Sequence, residues 1–184
     1  MTYKKNLRWR IAQFFEIIWW RRYLKDKSPE EYIIYKKKYW DKLLALAQPY
    51  VDFLAQKTAV DIGCGPSGIY LNLPQLSIDA VDPLIDKYES LFYFDKKDCA
   101  HVNFVHSAFE DFTPTKQYDY VFCMNAINHF SDIHYSYDKL VSLVKPNSGY
   151  IIVTIDAHNF PVLKPLFRLL QFDILHPHQY DLKE

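Results

Sequence analysis

Residues 59–68 read AVDIGCGPSG, and they hold three of the chain's four glycines within six positions. The stretch KTAVDIG, residues 57–63, is a short β-branched run that stops at a glycine, the pattern of a strand running into a loop. Gly63 and Gly65 lack the Cβ atoms that would block close approach, so the loop's N–H groups are expected to face a ligand. A dinucleotide pyrophosphate, a nucleoside cofactor without phosphates, or a plain tight turn all suit such a loop.

Outward from it, QLSIDAVDP (75–83), HVNFVH (101–106), YDYVFCMN (118–125) and GYIIVTIDA (149–157) are further short apolar or β-branched runs, which brings the strand candidates to five. Stretches with room for helices lie between them. The clearest is 131–144, which begins with SD and ends before KPNSG. Alternating strands and helices predict a doubly wound α/β fold with a mostly parallel sheet. Upstream, Leu7, Ile11, Phe14, Ile18 and Trp19 fall on one helical stripe within 7–24. SPEE at 28–31 predicts a second helix, with Ser28 as N-cap, Pro29 at the first helical position and Glu31 closing a capping box. Tyr32, Tyr35, Tyr39, Leu43 and Leu46 would form its inner face, and Pro49 would end it. The expected division is a helical lid or cap over 1–50 and a ligand-binding domain over 51–184.

A length of 184 residues, 49% hydrophobic and 24% charged, suits one globular domain. Net charge is zero, but residues 1–50 carry +7 and the remainder −7. The basic end either meets an anionic surface or packs on the acidic remainder. Cys64, Cys99 and Cys123 are odd in number and lack paired spacing, which fits reduced thiols in a cytoplasmic protein. The best apolar run, IAQFFEIIWW, is ten residues long and contains Glu16, too short to span a bilayer. RRYLKDK follows it instead of a small-residue cleavage site, which argues against secretion.

The loop formally satisfies GxGxxG, a pattern shared with nicotinamide and flavin dinucleotide sites. Two residues argue against a dinucleotide. Asp61 stands at the strand end, where an anionic pyrophosphate would meet a carboxylate, and Pro66 removes an N–H donor from the turn. An ammonium group is the better match for Asp61.

VDIGCGPSG resembles motif I of the class I S-adenosylmethionine-dependent methyltransferases, an acidic residue followed by x-Gly-x-Gly. Asp82 closes the second strand seventeen residues after Gly65, where that family places its ribose-binding acid. VHSAFEDF (105–112) falls at the family's adenine loop, YDYVFCMNAINHFSD (118–132) resembles its fourth strand and loop, and LVKPNSGYIIVT (143–154) its approach to the fifth strand. The resemblance covers about residues 57–158 and implies strand order 3-2-1-4-5 with S-adenosylmethionine as cofactor. It implies that Asp61 positions the cofactor's amino end, that Gly63, Cys64 and Gly65 line its methionine and ribose part, and that Asp82 accepts from both ribose hydroxyls. Leu84 would pack on the adenine. Many family members carry Asp in the third-strand loop. This chain has Ser107 at that position, leaving adenine to the backbone of Ala108 and Phe109. Asn125 and Ala126 would face the methyl donor. Cys64 reads as a small loop filler, with no neighbouring base to make it a nucleophile.

A hydroxyl acceptor benefits from a base, and His129 in NAINHF is the candidate. His176 and His178 in HPHQY lack a third ligand, so no metal site is expected. No nucleic-acid reading motif is present, and NAIN replaces the Pro-Pro-Tyr-type tetrapeptide of amino-methylating nucleic-acid enzymes. A small-molecule acceptor is therefore the expectation. Trp19, Trp20, Arg21 and Arg22 suit a peripheral membrane contact, with a lipid-linked or quinone-like acceptor. The family's further helix and antiparallel strand pair have no counterpart before Glu184, which implies either a shortened domain or a truncated chain, with the fifth strand an edge open to homodimerisation. A non-catalytic binding protein of the same fold and, more distantly, an NAD-linked oxidoreductase are the rival readings.

Overall fold

Five short runs rich in β-branched and aromatic residues become parallel strands: β1 (Thr58–Ile62), β2 (Ser77–Asp82), β3 (Val102–His106), β4 (Tyr120–Met124) and β5 (Tyr150–Thr154). The computed structural model describes residues 7–88, 90–91, 99–130 and 132–155. Strand order is β3-β2-β1-β4-β5, as the resemblance implies, and it reverses direction at β1. In such a sheet the crevice at that reversal is the natural ligand position. β4 is buried along its whole length, whereas the outer strands β3 and β5 are only partly covered.

Side chains alternate across the sheet. Ala59, Ala80, Tyr120, Phe122 and Met124 face one hydrophobic cluster, which also holds Ile17, Leu24, Tyr32, Trp40 and Leu44 of the N-terminal helices. Val60, Ile62, Val81, Val121 and Cys123 face the other, with Leu140 and Leu143. Helices therefore cover both faces: α1 (Leu7–Leu24) and α2 (Pro29–Ala47) on the first, α4 (Ile133–Leu143) on the second. The one-turn helix α3 (Ile85–Tyr88) follows β2. α4 starts where expected, with the Asp132 carboxylate accepting from the Tyr135 N–H at 3.0 Å.

The N-terminal helices form as predicted, but both are turned. On α2 the buried row is Tyr32, Trp40 and Leu44, while Tyr35 and Leu46 of the predicted face are exposed. The Trp40 indole N–H donates to the Ser67 carbonyl at 2.9 Å, which fixes the helix with that row against the glycine loop. On α1, Ile11, Phe14, Ile18 and Trp19 of the predicted stripe point outward, and Gln13, Ile17 and Leu24 point in. The side chain of Leu7 lies outside the described residues. Ser28 accepts from the Glu31 N–H at 3.5 Å, but its hydroxyl donates to Glu30, so Glu30 and not Glu31 supplies the acidic partner of the cap. No helix among the described residues is long and apolar enough to cross a membrane. The expectations for HPHQY and for everything after residue 155 lie outside the described residues.

Asn125 ties three elements together. It sits just past β4 with φ +55°, a region that asparagine tolerates better than most residues. Its N–H donates to the Thr154 carbonyl at 3.0 Å, its amide nitrogen to the Tyr39 hydroxyl at 2.8 Å, and its side-chain oxygen accepts from the Thr154 hydroxyl at 2.9 Å. Asn125→Ala should lower unfolding stability by about 2–4 kcal/mol, combining two lost side-chain bonds with strain at positive φ. Asn125→Gly relieves the strain and should recover roughly 1 kcal/mol of that loss. Urea denaturation of the two variants would check this; equal stabilities would mean the backbone is unstrained.

Candidate functional site

At the end of β1 the backbone turns through Gly63, with φ +69°. A Cβ there would run into the Cβ of Ala126, so the residue that closes the β1 loop and the one that opens the β4 loop pack backbone to methyl. Contrary to the sequence expectation, the loop's first N–H groups turn inward. Those of Gly63 and Cys64 donate to the Val81 carbonyl at 2.8 and 3.3 Å, and that of Gly65 to the Asp82 carboxylate at 3.1 Å. Pro66 has none to give. The cradle of free donors that a pyrophosphate needs is absent from this part of the loop.

Asp82, at the end of β2, accepts from Gly65 N–H on one carboxyl oxygen and from Leu84 N–H, at 2.8 Å, on the other. Tyr88 also hydrogen-bonds this carboxylate, which leaves about one of its four lone-pair sites open. Asp61 is 1% exposed and lies beneath the loop, where the Ile69 N–H donates to it at 3.2 Å. Gly68 allows this, because a Cβ there would collide with the Asp61 carboxylate. Burial pushes the Asp61 carboxyl up to about 7 against the pull of the Ile69 bond, and nearby Asp82 adds to the rise. Asp82 is pushed upward in turn by its own burial, against the bonds from Leu84, Gly65 and Tyr88.

A cavity of about 390 Å³ opens above this loop, within the range of small-ligand sites, roughly 300–1,000 Å³. Of the residues singled out in the sequence, Gly63, Cys64, Gly65, Asp82, Ala108, Phe109, Asn125, Ala126 and His129 line it. Asp61, Leu84 and Ser107 do not. Asp61 acts from below the loop, Leu84 is 1% exposed in the core, and the Ser107 hydroxyl is committed to the Ala108 carbonyl at 2.9 Å. Phe109 packs on Phe130 with ring centroids 5.0 Å apart, forming an apolar side wall. Burial raises the Cys64 thiol well above its ordinary range, which suits a filler and not a nucleophile. Among the described residues no group of acids, histidines and cysteines is placed to hold a metal.

The sequence reading made the N-terminal helices a lid and acceptor wall but did not say which of their residues reach the cavity. Gln13, Glu16 and Trp20 of α1 and Lys36 and Trp40 of α2 all line the cavity. Burial first, and then the charge of Asp82, pushes the Glu16 carboxyl upward, against hydrogen bonds with Trp20 and Gln13. Lys36 lies over the Trp40 ring at 4.4 Å and lends positive potential to Asp61. A lone carboxylate inside IAQFFEIIWW was the available signal for Glu16, since a charge on a buried apolar helix needs a purpose.

A family model described as a methyltransferase domain matches residues 54–173. The chain belongs to the class I S-adenosylmethionine-dependent methyltransferase family. Curated relatives include the ubiquinone biosynthesis O-methyltransferase of Rickettsia akari, 29% identical over 109 residues, which are 58% of this chain and 43% of that protein. The chain thus spans less than half the length of the curated relatives it matches. Among solved structures, the YcgJ protein of Bacillus subtilis aligns with a TM-score of 0.60 at 22% identity, over 76% of this chain and 62% of that one. A putative methyltransferase of Bacillus halodurans aligns at 0.61 and 16% identity, over 78% and 63%. Both alignments bear out the fold.

The Asp61 shift has a measurable consequence for this methyltransferase-family chain. Unfolded, Asp61 releases its proton near 3.8; folded, it holds it to about 7. The folded state binds more protons across that window, so the group's unfavourable contribution grows as pH rises and is complete above about 7. Asp61→Asn keeps an acceptor for Ile69 and removes the buried charge. The ligand-free variant should melt above the parent at pH 8, by an amount of order 1–3 kcal/mol in stability, and match it near pH 4. Thermal melts across that range test it, and a pH-independent difference would refute the shifted carboxyl.

Proposed function

We propose that the chain binds S-adenosylmethionine in this cavity and transfers the methyl group to a hydroxyl oxygen of a small aromatic acceptor. The observation that carries the reading is the Asp82 carboxylate, oriented at the cavity wall by two backbone N–H groups and Tyr88 with a lone-pair site still open. A ribose diol needs such an acceptor, and a loop whose first N–H groups are spent inward suits a nucleoside without phosphates. When bound, the cofactor supplies a sulfonium methyl group open to in-line displacement. The chain's contribution is then position and proton handling. Asp82 would accept from the ribose hydroxyls, Gly63 and Gly65 let the backbone come close, and Phe109 with Phe130 offers an apolar slot for adenine. Asp61 acts through the loop as negative potential. His129, on the cavity wall, would take the acceptor's hydroxyl proton. Trp19, Trp20 and Trp40 supply aromatic wall for the acceptor. The curated relatives' name, ubiquinone biosynthesis O-methyltransferase, supports an oxygen nucleophile on an aromatic ring. Three buried cysteines, none in a disulfide, support a cytoplasmic setting.

Calorimetry with S-adenosylhomocysteine and with NAD should show binding of the first alone; no binding of S-adenosylhomocysteine would sink the proposal. Asp82→Ala should weaken that binding at least tenfold, about 1.4 kcal/mol. On a panel of catechol-like acceptors, His129→Ala should bind S-adenosylhomocysteine as the parent does yet lose roughly a hundred- to ten-thousandfold in kcat. Binding without turnover on any acceptor would favour the non-catalytic reading.

The outer face of α1 supports a peripheral contact with an anionic bilayer, which would bring a lipid-soluble acceptor to the cavity. Phe14, Phe15, Ile18 and Trp19 are 42–57% exposed, and the basic side chains of Arg21, Arg22, Lys25 and Lys27 follow them. The chain should co-sediment with phosphatidylglycerol vesicles and not with phosphatidylcholine ones, and the pair Phe14→Ser, Ile18→Ser should abolish it. Absence of sedimentation by the parent would exclude the contact.

A further inference from the structure

Helix α1 is mounted with its polar side inward. Facing the cavity are Gln13, only 9% exposed, and Glu16, while Phe14, Phe15, Ile18 and Trp19 face out. A helix placed for core packing alone would be turned the other way. The inward polar pair is held in place: the Gln13 amide nitrogen donates to the Glu16 carboxylate at 3.3 Å, and the Trp20 indole bonds Glu16. Trp20 in turn packs edge-on against Tyr88, with ring centroids 6.5 Å apart, and its ring would touch a Cβ placed on Gly65 at 3.7 Å. The pair is thereby carried to the wall that Asp82 and Gly65 also form. The charge Glu16 senses most is that of Asp82. Two polar atoms in this wall lack a protein partner, the Gln13 side-chain oxygen and the hydroxyl of Ser67, which is 3% exposed. Buried acceptors are seldom left unmade without a ligand or water to meet them.

We propose that Glu16, positioned by Gln13 and Trp20, is a second ribose-reading group, so that the cofactor's diol is held between the strand-end carboxylate of Asp82 and a carboxyl delivered by the N-terminal helix. The inference rests on the cofactor reading above. It gives α1 a direct part in binding the nucleoside, and it explains why two carboxyls share one wall. A diol between them offers each carboxyl a hydroxyl partner. The pair does not sit on the glycine loop, so this recognition adds to the loop's chemistry.

A cycle between side chain and ligand tests it. Binding of S-adenosylhomocysteine and of its 2′,3′-dideoxy analogue would be measured by calorimetry for the parent, Glu16→Ala and Glu16→Gln. Thermal melts confirm that each variant folds. Glu16→Ala should weaken S-adenosylhomocysteine binding at least tenfold and leave the dideoxy analogue within twofold of the parent. Glu16→Gln, which keeps both an acceptor and a donor, should recover most of the loss. Equal losses for the two ligands would mean that Glu16 only supports the wall, and no loss for either would mean that it does not touch the ligand; each overturns the proposal. Failure of the parent to bind S-adenosylhomocysteine would instead bring down the cofactor reading, and this inference with it.

Discussion

Two carboxyl groups buried at the ends of neighbouring parallel strands organise the site, and the backbone is shaped to reach them. An unpartnered carboxylate in an apolar interior is costly, so N–H groups must come to it. Ile69 supplies one to Asp61, while Gly65 and Leu84 supply two to Asp82. Meeting those acids folds the loop after β1 back onto the sheet edge, which requires positive φ at Gly63 and Gly65 and bare backbone beside Asp61 at Gly68. The same inward turn consumes the donors that a phosphate would have used. Cofactor class is therefore set by where the loop's hydrogen bonds go, more than by its glycine spacing.

The loop also decides where the helices sit. Ser67 presents its carbonyl to the Trp40 indole, and Asn72, a few residues on, donates to the Lys37 carbonyl and the Asp41 carboxylate. α2 is thus docked by polar contacts at defined points, and its rotation follows from them. Asn125 adds a third tie through Tyr39. These contacts bring the basic half of the chain onto the acidic half, with Lys36 near Asp61. Packing accounts for part of the charge asymmetry. Other basic residues of the two helices, Arg22, Lys25, Lys37 and Lys38 among them, remain exposed.

What could be read from the chain and what could not divides along physical lines. Strands β1 to β5 were legible because each is a local run closed by local punctuation: Gly63 after β1, Asp82-Pro83 after β2, and a turn after β4. The loop acids were legible because spacing places them at strand ends. The helical faces were not. On α1 the stripe of Ile11, Phe14, Ile18 and Trp19 carries the obvious hydrophobic signal, yet the inward face is chosen by tertiary contacts of Trp20, Ile17 and Leu24 that no window of sequence contains. The row on α2 shifted for the same reason, once the Trp40 indole found the Ser67 carbonyl. Periodicity identifies a helix and its stripes. Which stripe is buried depends on what the partner surface needs.

That need is the informative part here. α1 leaves large apolar side chains in water while spending Gln13 and Glu16 on the cavity wall, which Asp82 also lines. For an isolated domain, neither choice is favourable. Both become favourable if a polar ligand meets the inner face and an apolar environment meets the outer one. The two conditions are independent, because the faces are on opposite sides of one helix, but a single residue belongs to both. Trp19 lines the cavity and is also 46% exposed outside it. A helix so placed would meet both environments: an acceptor approaching from the outer side would pass Trp19 to reach the cavity. On this view the sheet and glycine loop supply the chemistry common to the family, and the turned helix decides what is allowed to meet it.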